Sequence, residues 1–384
     1  MRLISNILIS VILALSLQAC EKKNDPAPQT TDRTILVYMI ASNNLGDPSD
    51  DPEDPRSFDQ RDLDEMKLAA SKGNLANSRW LVYHHPRKGE IQLKELTKKG
   101  FKTLKRYSPE TYSVSINRMT EVFDDMRSLA PADDYGLILW SHATGWLETG
   151  IDEPTLSTSS KKPRSYGDDR GKQMNIKSLR SALETTPFSF VYADVCNMAA
   201  VEVAYELRNV TPAFVASAAQ MPANGMPYDL NMRYLTSTKP DLVAAARSTV
   251  EYYRSRPAIE HLWCTVSVIS TGALDDLARE TARIYRSSAY PDNYTPKPLD
   301  YSFRYYSDLG HFVDAMSPAD KSWHDALDRA VIYAGATESM LGMPLDPHCG
   351  LSTYILSSPA ASDNSGYSTL QWYKDVAKYQ PMQK

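Results

Sequence analysis

A thiol and an imidazole stand at matching points of two strand-like stretches. Phe190-Val191-Tyr192-Ala193 is a short apolar run of strand-forming residues, and it ends in Asp194-Val195-Cys196. After Asn197-Met198 the apolar positions Val201, Ala204, Tyr205 and Leu207 take up helical spacing. Cys196 therefore sits where a strand hands over to a helix, at the sheet edge where α/β proteins collect ligands. A following helix N-terminus favours a thiolate there. By itself such a cysteine reads equally well as a nucleophile or as a small packed residue. The second stretch, Asp134-Tyr135-Gly136-Leu137-Ile138-Leu139-Trp140, ends in Ser141-His142. Two parallel strands that end in Cys and His put a nucleophile beside a group able to protonate a leaving amine, which favours the catalytic reading.

Strand-His followed by strand-Asp-x-Cys resembles the clostripain family of cysteine peptidases. The likeness extends to Thr34–Leu45, to Asn197-Met198-Ala199 with Glu202 and Tyr205-Glu206-Leu207, and to Cys349–Ile355, and covers about Arg33 to Tyr379. The family commonly carries Gly directly after the His, where this chain has Ala143. The change keeps the backbone N–H and removes some backbone freedom. The resemblance implies an α/β caspase-like fold, a three-layer α/β/α sandwich with a mostly parallel central sheet.

Asp194 precedes Cys196 by two residues, so both side chains leave an extended segment on the same side. The carboxylate could cap the next helix or form the base of a pocket for a basic side chain. The resemblance implies the second, and with it cleavage after Arg or Lys. It also makes the loop Gln220–Tyr228 a wall of that pocket, with Ser217, Asn224 and Tyr228 as further substrate-binding candidates. The backbone N–H groups of Ala143 and Cys196 are the expected oxyanion donors.

The elements that must position these groups follow from the pattern. Thr34–Ala41 reads as a first strand, Phe58–Ala70 as a helix, and Arg79–His84 as a second strand with His84-His85-Pro86 in the loop after it. Ile91–Leu96 and Phe101–Tyr107 read as a β-ribbon, and Ile116–Leu129 as a helix leading into the His142 strand. Glu148–Gln173 is polar and long, and a loop of that kind is usually functional or disordered. It starts just after His142 and offers Lys161, Arg164 and Arg170 as points of self-cleavage. Asn175–Thr185 reads as a helix, Ala213–Ala218 as a strand, Leu242–Tyr253 as a helix and His261–Ile269 as a strand. Leu274–Tyr290, Ser307–Ala315 and Ala319–Tyr333 read as helices, Gly350–Ile355 as a strand and Ser368–Tyr379 as a terminal helix.

The N-terminus reads as a leader. Met1-Arg2 precedes a mostly apolar Leu3–Leu17, too short to span a bilayer. Leu17-Gln18-Ala19-Cys20 looks like a bacterial lipobox, which implies a signal peptide over residues 1–19, lipid on Cys20, a Pro-containing tether over 20–32 and a peptidase domain over 33–384. A net charge of −5 with no basic stripe argues against nucleic acid as a partner. With Cys20 lipidated, Cys196, Cys264 and Cys349 remain, an odd set that argues against a disulfide framework. No zinc-binding spacing is present and no cofactor is expected. The Asp- and Pro-rich stretch Asp47–Asp59 could attract calcium but lacks EF-hand spacing, and reads better as a solvated loop.

The chain therefore reads as an exported, lipid-anchored cysteine endopeptidase acting on proteins or peptides. Two other readings remain in view: an inactive peptidase-fold lipoprotein that binds partners at the surface, and a different hydrolase using Ser141 or another Ser, which the absence of G-x-S-x-G disfavours.

Overall fold

The computed structural model describes residues 30–147, 165–237, 239–256, 263–358, 361 and 366–382. The expected strands and helices condense around β1 (Thr31–Ile40), whose side chains alternate between two cores. Ile35, Val37 and Met39 face one layer and Leu36, Tyr38 and Ile40 the other, all fully buried. Each such aliphatic side chain stabilises the fold by roughly 1.5–3 kcal/mol. A strand buried on both faces needs a near-continuous apolar run, which is what Ile35–Ala41 supplies.

Among the described residues, nine strands form one sheet. Along the chain they are β1, β2 (Ser78–His85), β3 (Ile91–Thr97), β4 (Gly100–Tyr107), β5 (Ala132–Trp140), β8 (Phe190–Asp194), β9 (Ala213–Ala216), β10 (Thr265–Ser270) and β12 (Val331–Ala336). A hairpin of β6 (Tyr166–Asp169) and β7 (Lys172–Met174) lies between β5 and β8, and β11 (Tyr306–Asp308) pairs with the short strand Ser352–Tyr354. The spatial order is β12-β10-β9-β8-β5-β1-β2-β3-β4. The five central strands β9, β8, β5, β1 and β2 run parallel. Pairing at each edge is antiparallel, so the parallel centre is extended into a mixed sheet.

One face is covered by α1 (Phe58–Ser71), α5 (Tyr228–Leu235) and α6 (Leu242–Arg254). The other is covered by α2 (Ile116–Leu129), α3 (Ile176–Leu183), α4 (Val201–Glu206), α7 (Leu274–Ser287), α8 (Leu309–Met316) and α9 (Lys321–Ala330). This is the three-layer α/β/α sandwich. The helix starts follow local chemistry: Ser115, Asn175, Asp241 and Asp320 each accept an N–H from the first turn of α2, α3, α6 and α9.

Several expectations need correction. The helix expected over Ala319–Tyr333 ends at Ala330, and Val331–Ala336 becomes the edge strand β12, because β10 offers it a free edge for pairing. The terminal helix shrinks to Gln371–Asp375. His84 and His85 belong to β2 rather than to a loop, and each has a partner: His84 bonds Asp59 at 2.8 Å and His85 bonds the Ser113 hydroxyl at 2.8 Å. The end of the expected Glu148–Gln173 loop is the β6–β7 hairpin. Asp54 in the acidic stretch is spent on Arg56 and Arg61. Among the described residues no group of three or more His, Cys, Asp or Glu could hold a metal, and no helix is long and apolar enough to cross a membrane.

Candidate active site

The sheet register brings Cys196 and His142 together. Trp140 of β5 lies directly opposite Asp194 of β8 in the parallel ladder. Each chain then continues by two residues, to His142 and to Cys196. Both line one cleft of about 290 Å³, together with Asn44, Asp194, Met221 and Trp263. β1 contributes at the same edge: its end leads into the turn Asn44–Gly46, and Asn44 Oδ1 lies 2.7 Å from His142 Nε2. An amide oxygen only accepts, so this contact places a proton on Nε2. Asn43 fixes the turn by donating to the Ile40 and Asp168 carbonyls at 3.0 and 2.8 Å and accepting from Leu45 N–H at 3.0 Å.

The segment after Cys196 is a tight turn before α4. Asn197 has φ 58°, its N–H donates to the Ala219 carbonyl at 2.9 Å, and Ala199 N–H donates to the Ser217 carbonyl at 2.8 Å. Met221 N–H points at Cys196 Sγ at 3.4 Å, and the thiol faces the Met221 carbonyl at 3.7 Å. The loop after β9 thus lies along the nucleophile. The His142 loop closes against the same turn. Gly145 has φ +71°, and a Cβ there would come within 2.8 Å of the Asn197 carbonyl and 2.3 Å of the Tyr306 hydroxyl. Only Gly lets these two loops approach so closely.

Ala143 pairs with Tyr166 in an antiparallel bridge whose hydrogen bonds are made by its neighbours, Gly167 N–H to His142 O and Thr144 N–H to Ser165 O. Ala143 occupies the position between these bonds, so its own N–H is not used by the bridge. Its φ is not positive, so a side chain costs nothing there.

Asp194 is buried and does not cap a helix; Ala200 holds the N-cap position of α4. Its oxygens accept Met226 N–H at 2.9 Å and the Tyr228 hydroxyl at 3.0 Å. Burial pushes its carboxyl up to about 7, against the lowering effect of these two donors. Tyr228 is fully buried and bonds Asp194 rather than lining the cleft. Ser217 lies away from the cleft, its hydroxyl bonded to Thr265 at 2.7 Å and to the Ala219 carbonyl at 2.9 Å. Asn224 lines an adjoining cleft of about 720 Å³. Arg170 sits in the β6–β7 turn at φ 53°, bonded to Asp169 at 2.8 Å and stacked over Tyr112. Cys20, Lys161 and Arg164 lie outside the described residues.

Three site groups were not legible as such in the sequence. Asn44 was visible only as part of the loop after the first strand. Asp62 on α1 accepts the Trp140 indole N–H at 2.6 Å across the sheet face. Asp300 accepts the Gln220 backbone and side-chain N–H groups at 2.9 and 2.8 Å and so holds one wall of the cleft. No local pattern marks either carboxylate.

The comparisons with known proteins agree with this fold. An X-ray structure of an inactive zymogen C11 protease from Parabacteroides distasonis is 26% identical, with a TM-score of 0.74 over 91% of this chain and 99% of that one. A secreted C11 cysteine protease from Bacteroides thetaiotaomicron in complex with an irreversible peptide inhibitor is 26% identical, with a TM-score of 0.72 over 90% and 98% of the two chains. A further structure of a secreted C11 cysteine protease from Bacteroides thetaiotaomicron, "iotapain", shares the fold at 21% identity and a TM-score of 0.76, over 91% and 99% of the two chains. No curated protein matches the chain. The Peptidase C11 model, the clostripain family, matches residues 37–381, and the chain therefore belongs to the clostripain family of cysteine peptidases.

Proposed function

We propose that the protein is an exported, lipid-anchored endopeptidase that cuts after Arg or Lys with Cys196 and His142. The observation that carries this reading is the β5–β8 register, which sets the two side chains at the same distance past a paired Trp140 and Asp194. Cys196 as thiolate attacks the scissile carbonyl and forms a thioester as the amine leaves. His142 delivers the proton to that amine and then takes one from the water that hydrolyses the thioester. Asn44 fixes the ring through Nε2, so proton exchange runs through Nδ1. The Ala143 N–H is left out of its own bridge and, with the Cys196 N–H, is assigned to the tetrahedral oxyanion. Asp194 supplies the negative charge for a basic P1 side chain, from a buried position beside the cleft.

The relatives support parts of this. Two are described as secreted, and one carries a peptide inhibitor bound irreversibly. One is described as an inactive zymogen, which is consistent with activation by a cut. Of the three candidate cleavage points, Lys161 and Arg164 fit that role better than Arg170, whose hairpin would have to open first. Lipid on Cys20 follows from Leu17-Gln18-Ala19-Cys20. Mass spectrometry of the mature N-terminus tests it, and an unmodified N-terminus elsewhere removes the anchor. The central test is cleavage of peptides that differ only at P1. Rapid turnover of P1-Arg or P1-Lys over P1-Asp, lost in Cys196→Ala, is expected. Turnover that survives Cys196→Ala ends the reading.

A further inference from the structure

A thiolate at Cys196 needs hydrogen-bond donors, and the helix expected to favour it starts too far along the chain. α4 begins at Val201, five residues after Cys196, and a helix dipole acts within its first turn. In the turn before α4, the N–H groups of Asn197 and Ala199 are spent on the Ala219 and Ser217 carbonyls at 2.9 and 2.8 Å. A donor that does reach the sulfur comes from another segment. It is the Met221 N–H, 3.4 Å from Cys196 Sγ, in the loop after β9.

That N–H is held from two sides. It belongs to the Gln220–Met221 peptide unit, whose carbonyl, on Gln220, accepts the Trp263 indole N–H at 2.9 Å. In a trans peptide the C=O and N–H point opposite ways, so fixing the carbonyl aims the N–H. Behind it stands Asp300, in the segment before β11. Asp300 accepts the Gln220 backbone N–H at 2.9 Å through Oδ2 and the Gln220 side-chain amide at 2.8 Å through Oδ1. Asp300 is fully buried and is itself fixed by the Ser302 and Phe303 N–H groups at 2.8 and 2.7 Å. A buried carboxylate satisfied by several donors is rigid, and Gln220 inherits that rigidity.

We propose that the Met221 N–H stabilises the Cys196 thiolate, and that Asp300 is the positioning residue that, with the Trp263 indole, holds this donor on Sγ. The inference rests on Cys196 being the nucleophile and specifies what keeps it ionised. A hydrogen bond to an ionised acceptor is roughly twice as strong as one to a neutral acceptor, so the contact favours thiolate over thiol. The Met221 carbonyl, at 3.7 Å, favours the thiol instead. The loop therefore supports the thiolate only while its N–H remains the nearer group, and the place of Gln220 decides that.

The sign of the effect separates this role from plain electrostatics. Through space, a carboxylate near a thiol opposes its ionisation, so removing the Asp300 charge would by itself make the thiol more acidic. Removing a support for the Met221 N–H makes it less acidic. The donor also serves the second half of the reaction. When water adds to the thioester and the C–S bond breaks, the electron pair returns to Sγ, and the N–H meets an anion again.

The test uses the mature, active protein and iodoacetamide, a small alkylating agent with no P1 side chain. The readout is the rate of Cys196 alkylation against pH, followed by mass spectrometry of the peptide that carries it, which separates it from Cys264 and Cys349. In wild-type protein the midpoint is expected below the ordinary thiol value of about 8.5. Asp300→Asn keeps one oxygen for Ser302 and Phe303 and turns an NH2 toward the Gln220 N–H. It is expected to raise the midpoint by at least about one pH unit. A midpoint that stays put or falls, even with activity lost, makes Asp300 a wall residue or a plain charge and overturns the proposal. Should Asp300→Asn fail to fold, replacing Met221 by its α-hydroxy acid exchanges the N–H alone for an ester oxygen, and an unchanged midpoint there overturns the proposal without it. Turnover that survives Cys196→Ala ends the peptidase reading and this inference together. Turnover lost in Cys196→Ala beside an unmoved midpoint in Asp300→Asn removes only this inference.

Discussion

Replacing Asn44 by Ala isolates the orientation of the catalytic imidazole from its chemistry. Asn44 touches His142 Nε2 at 2.7 Å and does not belong to the strand that carries it. The variant removes one acceptor and leaves the β5–β8 register untouched. A hydrogen bond to a neutral group is worth about 0.5–1.5 kcal/mol net, and one to a charged group about 1.5–3. His142 carries positive charge when the thiolate attacks, which argues for the upper range. The contact is exposed, so water can replace the amide and bring the loss down to about 1–2 kcal/mol. That corresponds to a fall in kcat of about 5- to 30-fold. KM should change little, because Asn44 bonds the imidazole, whereas the Asp194 carboxylate is held by Met226 and Tyr228. Stopped-flow or fluorogenic assays with a P1-Arg peptide give both constants, and Asn44→Asp, which restores an acceptor, should recover most of the rate. A variant with unchanged kcat, or one that loses activity only through KM, refutes the orienting role.

Three further outcomes are expected. Gly225→Ala places a Cβ 2.9 Å from Asp194 at φ +58° and should destabilise the fold by at least about 1 kcal/mol, read from the urea midpoint; an unchanged midpoint refutes the close approach. Asp194 has its carboxyl raised from 3.8 to about 7 in the fold, so the folded state binds the extra proton and stability is lost as pH rises through that window. Asp194→Asn should then raise the melting temperature relative to wild type at pH 8 more than at pH 4. A shift independent of pH rules out the buried proton. Wild-type protein should split into two fragments with a new N-terminus after Lys161 or Arg164, and Cys196→Ala should stay whole. Equal nicking of both points to an outside protease and removes self-processing.

The division between what was legible and what was not follows from the range of the interactions. Apolar runs such as Ile35–Ala41 and Leu137–Trp140 are local, and a side chain just past such a run must lie at a strand end wherever the strand sits. That is why the His142 and Cys196 positions, and the helices α1, α2 and α6, could be read from residue types alone. The resemblance to a known family then set the fold class. β12 could not be read, because Val331–Ala336 follows a helical pattern without a break and becomes a strand only by pairing with β10. His84 and His85 looked like loop residues because their partners, Asp59 and Ser113, stand on other elements. The same holds for the walls of the site. Trp140 and Asp62 are 78 residues apart, and Gln220 and Asp300 are 80 apart. Sequence alone determined which side chains end the strands. Register and packing decided which carboxylates stand behind them, because hydrogen bonds between distant segments leave no period in the chain.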